Sequence, residues 1–89
     1  MGIEVVVSGA RRIGDALAEL ADCQLVMVDG RLVSPEEAPP LRWTEVRLRS
    51  QAGIVTVQRR GEGVVVVVFG NATPELLAAQ ERIAAAFSP

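Results

Sequence analysis

The chain has 89 residues, a formal net charge of −2 and an apolar fraction of 49%. This length is typical of a single domain, here residues 1–89, and the apolar content indicates a packed globule and excludes a disordered segment. The slightly acidic balance gives no electrostatic reason to expect nucleic-acid binding, which needs clustered cations. No apolar run approaches the roughly 20 residues of a membrane-spanning helix, so we expect a cytoplasmic protein without a membrane partner.

The composition also removes most catalytic chemistry. Histidine, lysine and tyrosine are absent, and all nine basic residues are arginine. The commonest general base and metal ligand near neutral pH is therefore missing, as is the usual Schiff-base nucleophile. The single cysteine, Cys23, excludes an intrachain disulfide, and its apolar surroundings favour a buried, unreactive thiol. We expect no catalytic residue, no cofactor and no metal.

The first elements are a strand and a helix. Ile3–Val7 is apolar except for Glu4 and rich in β-branched residues, which predicts a largely buried strand. From Arg11 to Asp22 the apolar residues recur at spacings of three and four, which predicts an amphipathic helix.

A hairpin and a loop follow the helix. Cys23–Val28 and Arg31–Ser34 are expected to be strands joined by Asp29-Gly30, a pair typical of type I′ turns because both positions tolerate positive φ. Pro35–Leu41 contains three prolines and is predicted to be a loop.

Two further strands are predicted in the second half. Thr44–Ser50 alternates between apolar and polar residues, and Ile54–Arg59 continues this pattern after a turn. With Ala52-Gly53 as a two-residue loop, Leu48 lies opposite Val57 and Arg47 opposite Gln58. In this register the core side of one strand lies opposite the core side of the other, and on the other side polar residues lie opposite polar residues, which supports the hairpin.

The chain ends in a valine strand and a capped helix. Val64–Phe69 cannot alternate, which predicts a central strand covered on both faces. Gly70-Asn71-Ala72 is expected to turn the chain into a helix over Thr73–Phe87. Thr73 is suited to the N-cap and Pro74 to the first helical position.

Together these elements predict an α/β fold of the α+β type. We expect a mostly antiparallel sheet of about five or six strands with two helices on one face, in the order β-α-β-β-β-β-β-α. Two helices on one side leave the other face of the valine strand open. The sequence therefore predicts a homodimer, or another protein bound over that face.

The candidate partner-binding residues are Trp43, Arg47 and Arg49. Strand alternation extended back to Trp43 places all three on one face, and Trp and Arg are enriched at binding hot spots. The alternative is that Trp43 folds over the rim of the sheet or onto the Pro39-Pro40 loop.

A second candidate site lies between the first strand and the first helix. Gly9, Arg11 and Arg12 could bind a phosphate or carboxylate, although Asp15 stands where a phosphate-binding loop would need lysine and the Gly-x-Gly spacing is missing. The alternative is a plain strand-to-helix turn with solvated arginines.

The strands "TEVRLRS" and "GIVTVQRRGEG" and the segment "VVVVVFGNATPELLAAQERIAAAF" resemble the end of roadblock/dynein-light-chain-type domains, which are profilin-like. The resemblance implies a non-catalytic, homodimeric platform that binds or regulates a small Ras-like GTPase. The function expected from the sequence is thus a protein-interaction or adaptor module. The alternatives are a small anion- or ligand-sensing domain that uses Gly9 to Arg12, and a small enzyme.

Overall fold

A computed structural model of the chain describes residues 2–70 and 72–89. Asn71, in the predicted turn after the valine strand, lies outside the described residues. The elements, in chain order, are β1 (Gly2–Val7), α1 (Ile13–Ala18), β2 (Gln24–Val28), β3 (Arg31–Leu32), β4 (Glu45–Ser50), β5 (Gly53–Arg60), β6 (Gly63–Phe69) and α2 (Pro74–Phe87). This order confirms the predicted β-α-β-β-β-β-β-α arrangement.

The strands form one six-stranded sheet in the order β1-β6-β5-β4-β2-β3, and neighbouring strands are antiparallel. β6 lies between β1 and β5, and its five valines, Val64–Val68, are buried, as expected for a central strand. Alternate valines of β6 join the apolar side chains of α1 and α2 in one core cluster. Both helices therefore cover the same face of the sheet.

The predicted register of the β4–β5 hairpin is wrong by two residues. Leu48 lies opposite Val55, and Arg47 lies opposite Thr56. The turn consists of Gln51-Ala52, because Ser50 pairs with Gly53 and its hydroxyl donates to the Gly53 carbonyl at 2.8 Å. A shift of two residues preserves the face of every side chain, so alternation alone could not distinguish the two registers.

β1 is an edge strand, which corrects the prediction that it is largely buried. Among the described strands it pairs with β6 alone, and the side chain of Val6 is 70% exposed. The close approach of its last residue to β6 requires glycine at position 63, where a Cβ atom would lie 2.2 Å from the Val7 carbonyl oxygen. β1 is exposed because it is an edge strand and the helices cover one of its two faces.

The hairpin and the two helices follow the expected local chemistry, with shorter bounds for α1 and β3. Asp29 and Gly30 have φ values of 49° and 81°, as a type I′ turn requires. The Thr73 hydroxyl accepts a hydrogen bond from the Leu76 amide at 3.1 Å, which confirms the predicted N-cap. Neither helix of the described residues is long and apolar enough to cross a membrane.

Gln80 is a polar residue of α2 that is almost completely buried. Its side-chain amide donates to the carbonyl oxygens of Ile3 in β1 (2.8 Å) and Val66 in β6 (2.9 Å). Both amide hydrogens therefore have acceptors, and the helix is tied to the edge strand by directional bonds as well as by apolar packing.

Candidate functional site

The sheet face turned away from the helices is the first candidate surface, and we call it the open face. Its residues follow from the strand pairings. They are Glu4, Val6, Gln24, Met27, Leu32, Glu45, Arg47, Arg49, Ile54, Thr56, Gln58, Arg60, Val65, Val67 and Phe69.

The predicted residues Arg47 and Arg49 lie on the open face with exposed side chains. Glu45 lies beside them: one of its carboxylate oxygens is 4.0 Å from the Arg47 guanidinium, and the other accepts a hydrogen bond from the Gln58 amide at 3.1 Å. Apart from Glu4 on β1, the charged side chains of the open face thus lie on β4 and the adjacent part of β5.

The predicted placement of Trp43 on the open face is wrong. Its side chain is only 4% exposed and belongs to the core beneath the helices. Its ring lies 6.2 Å from the Phe87 ring at an interplanar angle of 60°, and the Arg59 guanidinium stacks on it at 4.5 Å. The structure therefore separates Trp43 from Arg47 and Arg49.

The physical reason is a break in the alternation just before β4. The Asp29 carboxylate accepts hydrogen bonds from the Thr44 hydroxyl (2.6 Å), the Thr44 amide (2.9 Å) and the Glu45 amide (2.8 Å). These bonds fix the chain where β4 begins, so the pattern cannot be extended to Trp43. The same bonds favour the ionised carboxylate and hold the pKa of Asp29 below its ordinary value.

The open face also carries exposed apolar side chains near the β1–β6 edge. Phe69 is 57% exposed, and its ring lies across Gly2, where a Cβ atom would be 3.3 Å from two ring carbons. Val6 and Ile54 are exposed on the same face. Large exposed apolar groups that share a face are typical of a binding surface.

Val65 and Val67 do not need a partner for their burial, which corrects the argument by which the sequence predicted association. Both are at most 2% exposed within the single chain. Val65 lies between Val6 and Gln58, and Val67 has Thr56 on one side. Because neighbouring side chains on a sheet face are in contact range, the strands beside β6 cover these valines.

The second candidate surface is a cleft of about 520 Å³ between the start of α1, the loop before β4 and the end of β5. We call it the arginine cleft. It is lined by Arg11, Arg12, Asp15, Arg42 and Arg59, by the segment Pro39–Leu41, and by Ala10, Ile13 and Gly14.

Arg11 and Arg12, predicted from the sequence, are therefore brought together in this cleft, whereas Gly9 lies outside its lining. Gly9 has a φ of 65° and lines a separate depression beside the β5–β6 turn. Arg42 and Arg59 were missed by the sequence reasoning. No local pattern identifies them, because the fold brings them to the cleft from distant segments.

Other reactive groups show no catalytic arrangement within residues 2–70 and 72–89. Cys23 is partly buried, and this burial, with the negative charge of Asp22, raises the pKa of its thiol. A raised pKa lowers the fraction of reactive thiolate. No group of three His, Cys, Asp or Glu side chains suited to a metal ion occurs in the described residues.

Comparison of the chain with protein-family models, curated proteins and solved structures found no match. The resemblance to roadblock-type domains, and the Ras-like GTPase that it implies as a partner, therefore stay predictions.

Proposed function

We propose that this chain is a non-catalytic protein-interaction module that self-associates through its open face. The observation that carries the proposal is a six-stranded sheet on which both helices of the described residues lie on one side, while the other side exposes Val6, Ile54 and Phe69. Burial of exposed apolar surface is the main favourable term in protein association. A second copy of the chain is the partner that we propose for this surface.

The charges on the open face are complementary to themselves under a twofold rotation. Glu4 lies on β1, on one side of β6, whereas Arg47 lies on the other side, on β4. The pairings Glu4–Val67, Val67–Thr56 and Thr56–Arg47 place the two residues at the same height along the sheet. A twofold axis parallel to β6 between two facing sheets would place Glu4 of each copy over the basic side of the other. Twofold symmetry of this kind is the commonest in homo-oligomers.

The size of the surface also fits a dimer. The molecule measures 30 × 27 × 23 Å. A sheet face of these dimensions provides an area of the order of the roughly 800 Å² that each partner buries in a standard interface.

The test is the molar mass in solution, measured by light scattering over a wide concentration range. The wild type should have the mass of a dimer, and Phe69→Glu should have the mass of a monomer. Leu41→Glu is the matched control, because Leu41 is 89% exposed but lies away from the open face. It should remain dimeric. A monomeric wild type at every concentration would overturn the proposal.

A charge exchange tests the proposed orientation. Glu4→Arg should weaken the dimer, because it places like charges opposite each other. Adding Arg47→Glu to that variant should restore part of the affinity in sedimentation measurements. A double variant no stronger than either single variant would contradict an axis parallel to β6.

A further inference from the structure

We propose that the arginine cleft binds the phosphate group of a small organic phosphate monoester. The first observation is the concentration of positive charge. The chain as a whole carries a net charge of −2 and nine arginines, yet four of the arginines line this one cleft together with a single carboxylate, that of Asp15. A local excess of cations on an acidic protein points to an anionic ligand.

The four arginines differ in how far they are already engaged. Arg11 forms an ion pair with Glu19 and donates to the Ala86 carbonyl at 3.3 Å, so its charge is compensated and its role is to position the loop. The guanidinium groups of Arg12 and Arg42 have no hydrogen-bond or ion-pair partner among the described residues. They are free to bind a ligand.

Arg59 is both oriented and available. Its guanidinium stacks on Trp43, and its Nε donates to the Trp43 carbonyl at 3.2 Å. No other hydrogen bond from this side chain occurs within the described parts of the chain. Its two terminal nitrogens are therefore held in place as a planar pair of donors, the geometry that matches two oxygens of a phosphate.

Two of the three segments that line the cleft are anchored by backbone hydrogen bonds. The Ala10 amide donates to the Glu62 carbonyl, and the Arg11 amide donates to the Phe87 carbonyl, each at 2.8 Å. The opposite wall is anchored by the Arg59 amide, which donates to the Thr44 carbonyl at 2.8 Å. Preorganised walls reduce the entropy lost on binding.

The charge and size of the cleft select the ligand class. Among the described residues that line the cleft, Asp15 is the one carboxylate beside Arg12, Arg42 and Arg59, which leaves an excess of two positive charges. A phosphate monoester carries a charge of about −1.5 to −2 at pH 7. The volume of about 520 Å³ exceeds the needs of inorganic phosphate, and the Pro39–Leu41 wall offers apolar contact to an organic group.

The test is isothermal titration calorimetry with phenyl phosphate at low salt and pH 7. Arg12→Gln and Arg42→Gln should each weaken binding by roughly tenfold or more, as expected for loss of a charge-assisted hydrogen bond. Arg49→Gln is the matched control, since it removes the same charge from the open face, and it should leave the affinity unchanged. Inorganic phosphate, which lacks the organic group, should bind more weakly.

Acidification provides a second, independent signature. The second pKa of a phosphate monoester is about 6, whereas arginine stays charged. Binding of phenyl phosphate should therefore be weaker well below pH 6 than at pH 7. Phenyl sulfate is a monoanion at both of these pH values, so its binding should be weak at both. No binding at millimolar phenyl phosphate, or an equal loss in Arg49→Gln, would overturn the proposal.

Discussion

The two faces of the sheet contrast in what covers them. On the helix side, the valines of β6 pack against α2, and the core includes Trp43 and Phe87. On the open face, Val65 and Val67 of the same strand are equally buried, and among the described residues it is the side chains of neighbouring strands that cover them. Burial of a central strand therefore does not reveal whether a second layer lies above it.

The informative residues are those that remain exposed. Val6 and Phe69 on the open face are 70% and 57% exposed, whereas most apolar side chains on the helix side are buried among the described residues. The contrast separates two roles: one face stabilises the fold, and the other is free to bind. Matched substitutions on the two faces test this division of roles.

The largest expected effect comes from the two phenylalanines of the chain, which lie on opposite faces. Phe87 is completely buried and packs on Trp43, so Phe87→Ala should cost about 3–5 kcal/mol of unfolding free energy. Phe69→Ala should cost less than about 1 kcal/mol, because that ring is already exposed. Urea denaturation at one low protein concentration would measure both.

Phe87→Leu serves as a milder variant if Phe87→Ala does not fold, since leucine retains much of the buried volume. It should still be less stable than Phe69→Ala. Equal losses at the two positions would mean that the open face contributes as much to the fold as the helix side, which would contradict the division of roles.

A smaller effect is expected from a glutamine on each face. Gln80→Leu would leave the Ile3 and Val66 carbonyls without their side-chain donor and should cost roughly 1–3 kcal/mol. Gln58→Leu removes a partly exposed bond to Glu45, which water can replace, and should change stability by roughly 0.5 kcal/mol or less. Denaturation curves would compare them.

Hydrogen exchange gives the local readout for the same pair. Relative to the wild type, Gln80→Leu should accelerate exchange of the β1 amides more than exchange of the β4 amides, because α2 has lost its directional contact with the edge strand. Uniform acceleration across the sheet would instead indicate a global loss of stability without a specific role at the edge.

The element order could be predicted from the sequence because each element carries a local signal. The Asp29-Gly30 turn and the Thr73 cap depend on backbone requirements that few residue types satisfy. The β4–β5 register could not be predicted in the same way. Both candidate turns keep Leu48 on the covered side, so alternation contains no information that separates them.

The candidate sites were less predictable because they depend on distant contacts. The predicted face of Trp43 is wrong, since the hydrogen bonds that Asp29 accepts and that break the strand pattern join residues 15 and 16 positions apart. Two of the four arginines in the arginine cleft, Arg11 and Arg12, could be predicted because they are adjacent in sequence. Arg42 and Arg59 could not, because the fold brings them to the cleft from distant segments.

Asp29 fixes the point at which the chain passes from the helix side to the open face, and its charge makes that point sensitive to pH. Hydrogen bonds from Thr44 and Glu45 lower its folded-state pKa. The resulting stabilisation is complete above the unfolded pKa of about 3.9 and is lost as the pH falls through the lower folded value. Asp29→Asn should therefore be less stable than the wild type at neutral pH, by an amount that shrinks on acidification.

Thermal unfolding followed by the fluorescence of Trp43, the single tryptophan of the chain, would measure this difference across the acidic range. Asparagine tolerates the positive φ of position 29, so the substitution changes the charge and the acceptors without straining the turn. Asp15→Asn removes the same charge away from Thr44 and is the matched control. If the deficit of Asp29→Asn stayed constant down to low pH, the ionised carboxylate could not be what holds Trp43 and Glu45 on opposite sides of the sheet.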